Sequence, residues 1–264
     1  MIETDAILQH LRIERAEPSP AYLSALLAGW SERIPWESAS RIVRHKTPAA
    51  PYQYARNAER FYDDALNRGL GGTCFESNTA LRALLDDLGF ESTFALCDMA
   101  QSSTTNPHCA LITIIDGLRY IADAGWPLPA AIPLSDSEPT AGSVPVYDYH
   151  IEPSGEGRWR VWRKSGDFEQ DCFTLKAAPV PHDTFRARLI RDHFDDGLFL
   201  NNVIIHRVID GRLLRFDQTK GLIERVPGDE RSIPWTEEQA ADVPAAVAQL
   251  FAMDGAIIRQ ALDS

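Results

Sequence analysis

A cysteine at position 74, a histidine at 108 and an aspartate at 123 are the residues of this 264-residue chain whose types and spacing can do chemistry together. A thiolate attacks acyl carbon readily. An imidazole can take the thiol proton, and an acid bonded to the imidazole's other nitrogen fixes its tautomer and steadies the imidazolium. The three would form one unit for acyl transfer through a cysteine-bound intermediate, provided the fold brings them together.

Cys74 lies in Gly71-Gly72-Thr73-Cys74-Phe75-Glu76-Ser77-Asn78. Thr73 and Glu76 have the spacing of a capping box, so a helix is expected to start here. Leu81, Leu84, Leu85 and Leu88 continue it as a buried face, and Gly89 is a stop signal. With Thr73 as N-cap, Cys74 is the first helical residue, at the positive end of the helix dipole where a thiolate is favoured. The two glycines would let a substrate approach the backbone closely. A buried structural cysteine opening an ordinary helix has the same local pattern.

His108 and Asp123 bracket a hairpin whose turn is Asp116-Gly117. A two-residue loop pairs Ile115 with Leu118 and, counting back, Ala110 with Asp123. His108 then shares a face with Ala110 and Asp123 and is a diagonal neighbour of the aspartate, ~7–8 Å away at the backbone. A slip of one residue would destroy the juxtaposition. Histidines and aspartates at strand ends are also ordinary surface residues, so the hairpin alone leaves both readings open.

The elements that must position these residues follow from texture. Residues 1 to about 90 read as helical, with amphipathic stretches over Tyr22 to Ile34 and Gln53 to Asn67 and a connector over Lys46 to Tyr52. After Gly89, β-rich runs appear at Cys109 to Ile115, Leu118 to Ala124, Arg158 to Arg163 and Phe168 to Leu175. The proline-rich stretch 127 to 154 is expected to be mostly loop. A second hairpin, Val203 to Val208 with Leu213 to Phe216, turns at Asp210-Gly211. Helix returns from Pro234, with a second capping box at Thr236 and Gln239. No internal repeat is visible.

Composition narrows the function classes. Apolar content of 44% and charged content of 24% are those of a globular protein. A net charge of −12 argues against nucleic acid as the main partner, while leaving room for an anionic small ligand in a locally positive pocket. No apolar run reaches membrane-spanning length, and Met1 to Asp5 lacks the pattern of a secretory signal. Cys74, Cys97, Cys109 and Cys172 form no Cys-x-x-Cys pair and no metal-ligand pattern, so a reducing cytoplasm is the expected setting.

The glycine–cysteine motif, Pro107-His108 opening an apolar strand, and Tyr120-Ile121-Ala122-Asp123-Ala124-Gly125-Trp126 resemble, in order and spacing, the arylamine N-acetyltransferase family. That family has an Arg-Gly-Gly-x-Cys-x-Glu motif, a histidine before a strand and an Asp-Val-Gly-Phe motif after a turn. Ile34-Pro35-Trp36-Glu37 is similar to its Ile-Pro-Phe-Glu segment, and Phe199-Leu200-Asn201-Asn202 to a later one. The resemblance covers most of residues 20 to 215. It implies an α+β fold: an N-terminal helical bundle (1–90) carrying the nucleophile, a central β-barrel (91–190) carrying histidine and aspartate, and a C-terminal α/β lid (191–264). It implies a cysteine-protease-like triad of Cys74, His108 and Asp123, with Trp36, Trp126 and Phe199 lining the substrate pocket. Acetyl-CoA would be the acyl-donor substrate, with no bound cofactor. The acceptor would be the small-molecule amine of an arylamine or arylhydrazine, and the protein a monomer or homodimer. The departures are Leu70 for the motif arginine (the nearest arginine is Arg68), Thr73 for an aromatic, and Pro127 for a glycine.

Two other readings use the same residues. One is a different acyl transfer, amide-forming or hydrolytic, on the same triad. The other is a non-catalytic binding protein on an inherited fold. Elsewhere, Asp192-His193 and Asp195-Asp196 offer metal-type ligands without a further one in register and are expected to form a solvated turn. Cys97, Cys109 and Cys172 are expected to be buried and inert. Arg119 is placed to face Asp123 and compete with His108 for it. His150, His182 and His206 show no partner in sequence.

Overall fold

The computed structural model describes residues 2–102, 105–126, 128–155, 157–178, 180–194 and 197–264. Pro127, Asp195 and Asp196, singled out above, lie outside the described residues. The chain begins with α1 (Thr4–Leu11) and α2 (Pro20–Arg33), followed by the short β1 (Trp36–Glu37), α3 (Ala39–Lys46), α4 (Pro51–Tyr54), α5 (Ala58–Arg68) and α6 (Cys74–Asp87). Each start has a local cause where a cap is present: the Ser19 side chain accepts from Tyr22 N with Pro20 in the first helical position, and Asn57 accepts from Arg60 N. The stretch 53–67, expected as one helix, is two. Asn57 caps a new helix, and the backbone N of Arg56 leaves the helical ladder to donate to Glu76 Oε1 at 3.1 Å.

Next come β2 (Glu91–Met99), β3 (His108–Ile115), β4 (Leu118–Asp123), β5 (Leu128–Pro133), β6 (Thr140–Ser143), β7 (Asp148–Pro153), β8 (Arg158–Ser165) and β9 (Phe168–Lys176). Among the described residues they form an eight-stranded antiparallel sheet in the order β5-β4-β3-β2-β9-β8-β7-β6. Its two edges curl toward each other: Thr140 Oγ1 on β6 donates to the Pro133 carbonyl on β5 at 2.5 Å, and Gly142 lies against Ile132. The result is a nearly closed barrel. The expected loop over 127–154 is therefore corrected, since it holds three strands. Proline is tolerated because β5 and β6 are edges, where a missing N–H costs no ladder bond, and Pro153 ends β7. α2 covers the β5 edge, with Ser24 Oγ accepting from Ala131 N at 3.1 Å.

The rest is α7 (His182–Arg191), β10 (Ile204–Ile209), β11 (Arg212–Asp217), β12 (Gly221–Val226), β13 (Asp229–Ile233), α8 (Glu237–Ala241), α9 (Val243–Phe251) and α10 (Gly255–Leu262). A second, five-stranded sheet runs β1-β10-β11-β12-β13. Its first member comes from the helical region: Trp36 pairs with His206 and Glu37 with Ile205. The second hairpin forms at Asp210-Gly211 as expected, with Ile209 opposite Arg212, and the capping box of Thr236 and Gln239 is formed.

Three apolar clusters hold these pieces. One joins α1, α2, α5 and α6 to the outer face of β3 through Leu23, Leu26, Phe75, Leu81, Cys109 and Leu111. A second fills the barrel with Ile112, Ile121, Tyr149, Trp159, Val161 and Phe173. The third lies between the five-stranded sheet and α3, α9 and α10, and includes Leu70. Strand periodicity thus sends Cys109 and Leu111 to the helices and Ala110 and Ile112 into the barrel.

The start of α6 is fixed by a backbone contact. Gly72 bridges Trp36, and its carbonyl accepts from Glu37 N at 3.3 Å. A Cβ on Gly71 would sit 1.6 Å from the Pro35 carbonyl oxygen. Gly71→Ala is expected to cost about 3 kcal/mol or more of folding stability, because backbone must move against backbone. Denaturant unfolding checks this, and a midpoint unchanged from the parent would contradict the account.

Candidate active site

Cys74 opens α6 as expected, but the capping box does not form. The Thr73 side chain makes no cap bond and accepts instead from Arg41 Nη1 at 3.2 Å. Glu76, wholly buried, accepts from Arg44 Nη2 and Arg56 Nη2, each at 2.8 Å to Oε2. Arg56 also donates to Asp64 at 3.0 Å and to the Gly71 carbonyl at 2.5 Å. Burial opposes charge on Glu76, yet Arg44, Arg56 and their hydrogen bonds hold its carboxyl far below the usual carboxylate range. The position of the family's motif arginine is apolar Leu70, buried in the third cluster, and Arg56 reaches the glycine turn from α5's leading edge.

The first hairpin has the register needed: Ile115 is opposite Leu118 and Leu111 opposite Ala122. His108 and Asp123 therefore lie at strand ends on the barrel-interior face. His108 Nε2 is 2.6 Å from Asp123 Oδ2, and both side chains are buried. Asp123 Oδ1 accepts from Asn78 Nδ2 at 3.0 Å and from Gly125 N at 2.8 Å. Cys74 Sγ lies 4.0 Å from the carbonyl of Pro107, the residue before His108, and Cys74 and His108 line the same cavity. The structure thus sets Cys74 and the His108–Asp123 pair at one cavity. Arg119 does not compete: it pairs with Asp136 at 2.5 Å and lies over the Trp159 ring.

Charge follows from this arrangement. A hydrogen bond from Cys109 and contact with His108 together outweigh burial and place the Cys74 thiol well below its ordinary range. Burial works against charge on His108, but Asp123 and Cys74 push the imidazolium up to about 10. Both shifts favour a thiolate on Cys74 and an imidazolium on His108. Cys97, Cys109 and Cys172 are buried as expected, yet Cys109 is no bystander, since it shares the apolar cluster of Cys74 and lowers the Cys74 thiol.

Asn78 belongs to the glycine–cysteine motif, and the sequence assigns it no role. It is four residues after Cys74, so it shares the cysteine's helix face. Its amide holds the Cys109 carbonyl at 2.8 Å and Asp123, and its oxygen accepts from Ala124 N at 3.0 Å. The i, i+4 spacing was the available signal. Gly125 is required for contact, as a Cβ there would lie 2.4 Å from Cys74 Cβ.

A cavity of about 330 Å³ opens on Cys74 and His108. Trp36, Trp126 and Phe199 all line it, and Trp36 meets Phe199 edge-on at 5.0 Å. His206 and Arg215 from the five-stranded sheet complete one wall; sequence offered no reason to place either there. Among the described residues no cluster suited to a metal ion occurs. Asp192 and His193, expected in a solvated turn, are buried, with His193 Nε2 3.7 Å from Glu76. No helix among the described residues is long and apolar enough to cross a membrane.

Comparison with known proteins agrees with this architecture. The family model described as N-acetyltransferase matches residues 21–254. Human arylamine N-acetyltransferase 2 is 28% identical over 107 residues, 35% of this chain and 37% of the human enzyme, so the matched segment spans little more than a third of that relative. Among solved structures, an arylamine N-acetyltransferase from Mycobacterium smegmatis superposes with a TM-score of 0.82 at 18% identity, covering 100% of this chain and 98% of that one. The Mycobacterium marinum arylamine N-acetyltransferase, solved in complex with CoA, superposes with 0.83 at 16% identity, covering 99% and 98%.

Two outcomes follow from the electrostatics. Alkylation of Cys74 by iodoacetamide should be flat from about pH 7 to 9, and His108→Gln should restore an inflection near the free-thiol value of ~8.5; a parent profile already inflecting there would contradict the ion pair. His193 is pushed down to about 3 by burial, then by Arg41, Arg44 and Arg56 against the pull of Glu76. The unfolded chain therefore binds the extra proton below ~6.5, and stability should rise with pH between about 5 and 6.5, at up to about 1.4 kcal/mol per unit from this residue. His193→Gln should flatten that slope in pH-dependent urea unfolding.

Proposed function

Since this chain belongs to the arylamine N-acetyltransferase family, we propose that it moves an acetyl group from acetyl-CoA, through an acyl-cysteine at Cys74, to the amine of an arylamine or arylhydrazine. The observation that carries this reading is His108, hydrogen-bonded to Asp123, sharing an aromatic-lined cavity with Cys74. A relative of the same fold solved with CoA supports that donor. Four free, buried cysteines fit a reducing cytoplasm.

In the first half-reaction the Cys74 thiolate attacks the thioester carbonyl. The tetrahedral oxyanion needs N–H donors. Those of the first turn of α6, uncapped by Thr73, face the right charge. Collapse breaks the bond to CoA sulfur, and the His108 imidazolium protonates the departing thiolate. In the second half-reaction the amine attacks the acyl-cysteine and a C–N bond forms. His108 accepts the amine proton, and Cys74 leaves as thiolate. Asp123, acting through His108, holds the ring's orientation and offsets its charge in both halves. The flat faces of Trp36 and Trp126 suit an aryl acceptor.

Leu70 and Thr73, where the family has arginine and an aromatic, give weight to a second reading: the same triad with a different acyl donor, closing an amide bond or hydrolysing one. Intact-protein mass spectrometry across a panel of acyl-CoA thioesters separates the two. Acetyl-CoA should add one acetyl group, Cys74→Ala should abolish the addition, and His108→Gln should slow it by about 10²-fold or more. Acetylation that survives Cys74→Ala sinks the proposal, and labelling by another thioester but not by acetyl-CoA favours the second reading.

A further inference from the structure

One wall of the cavity is built by a row of residues paired across three strands. Trp36 on β1 lies opposite His206 on β10, and His206 lies opposite Arg215 on β11. Directly paired residues share a face of a sheet, so a ring, an imidazole and a guanidinium project together, and all three line the cavity. The Trp36 and His206 rings are 5.1 Å apart. Burial, then Arg215, Arg163 and Arg225, pushes His206 down to about 3, so the imidazole is neutral. Apart from the mutually compensating Cys74 and His108, Arg215 is then the one charged side chain among the described residues lining the cavity.

That guanidinium is only partly engaged. Nη2 donates to Asp217 Oδ2 at 2.8 Å, while Nε is buried with no hydrogen-bond partner among the described residues. Asp217 is itself divided, its other oxygen accepting from Asn202 Nδ2, Thr219 N and Thr219 Oγ1. An arginine offers five N–H donors in a planar fork. Buried donors without partners are costly, and a desolvated carboxylate is costly for the same reason, so the two complement each other. The field is local: a chain of net charge −12 repels anions at long range, while this wall carries the potential of Arg163, Arg215 and Arg225.

We propose that Arg215 recognises an anionic substituent, a carboxylate, on the ring of the acceptor, so that the preferred acceptors are acidic arylamines with the ring against Trp36 and the amine toward Cys74. This rests on the acetyl-transfer reading for the identity of the acceptor but not for the binding of the anion. The same positive wall could instead meet the phosphates of the donor, and the experiment distinguishes the two sources.

Binding of benzoate and of benzamide to the intact protein, followed by calorimetry, tests the anion site with no acetyl transfer required. Benzoate should bind the parent about tenfold or more tightly than benzamide, the range expected of a charge-assisted pair. Arg215→Gln should erase the preference and Arg215→Lys should keep part of it. Equal binding of the two by the parent, which needs no variant, overturns the proposal, as does a preference that persists in Arg215→Gln. In turnover, the ratio of kcat/KM for para-aminobenzoate over para-aminobenzamide should fall about tenfold in Arg215→Gln. A loss seen equally with both acceptors, traced to a raised KM for acetyl-CoA, would assign the arginine to the donor and overturn the proposal. A protein that prefers benzoate yet never acetylates Cys74 would sink the function proposed above and leave the anion site standing.

Discussion

The carboxylate of Glu76 is wholly buried and shared by the guanidinium groups of Arg44 on α3 and Arg56 before α5. Through it the first turn of α6 is tied to two other segments, and Arg56 carries the tie on to the Gly71 carbonyl. Buried ion pairs contribute little net stability, because desolvation offsets attraction, but a half-broken one is severely costly. Their effect is to make one arrangement far better than its neighbours. Here that arrangement fixes the direction in which α6 begins, and Cys74 is two residues before Glu76. The backbone contact between Gly71 and Pro35 adds a steric limit to the same turn.

Cys74 stands between two electrostatic environments. On one side are Arg41, Arg44, Arg56, Glu76 and Asp192, a buried network of charges. On the other are His108 and Asp123 at the barrel's open end. Asn78 links them, because the helix face that carries Cys74 also presents an amide to Asp123 one turn later. The aspartate is therefore oriented by the nucleophile's own helix. The departure at Leu70 is intelligible in this frame: an apolar side chain joins the core under the second sheet, while Arg56 reaches the glycine turn from elsewhere.

Local signals were legible where local chemistry decides. The start of α6 after Thr73, its stop before Gly89, both Asp-Gly hairpins and the register of the first were read from signals that span a few residues. Reading failed where a distant partner overrode local preference. Thr73 and Glu76 have capping-box spacing, but arginines 32 and 20 residues away in sequence claim the carboxylate. The prolines of 127–154 suggested loop because sequence does not say which strands become edges. Arg119 faced Asp123 on paper, yet Asp136 and the Trp159 ring were nearer in space.

What the sequence by itself determined is the set of short-range placements: a cysteine at a helix start, a histidine and an aspartate on one face of one hairpin, and a family pattern running through all three. Helix and strand periods fix such relations without reference to the rest of the chain. Only the tertiary structure decided what surrounds them. Cys109 against the nucleophile, Asn78 on the aspartate, and the row from Trp36 through His206 to Arg215 each join segments far apart in the chain. Their encounter depends on how two sheets and a helical layer pack, and no local pattern records that packing.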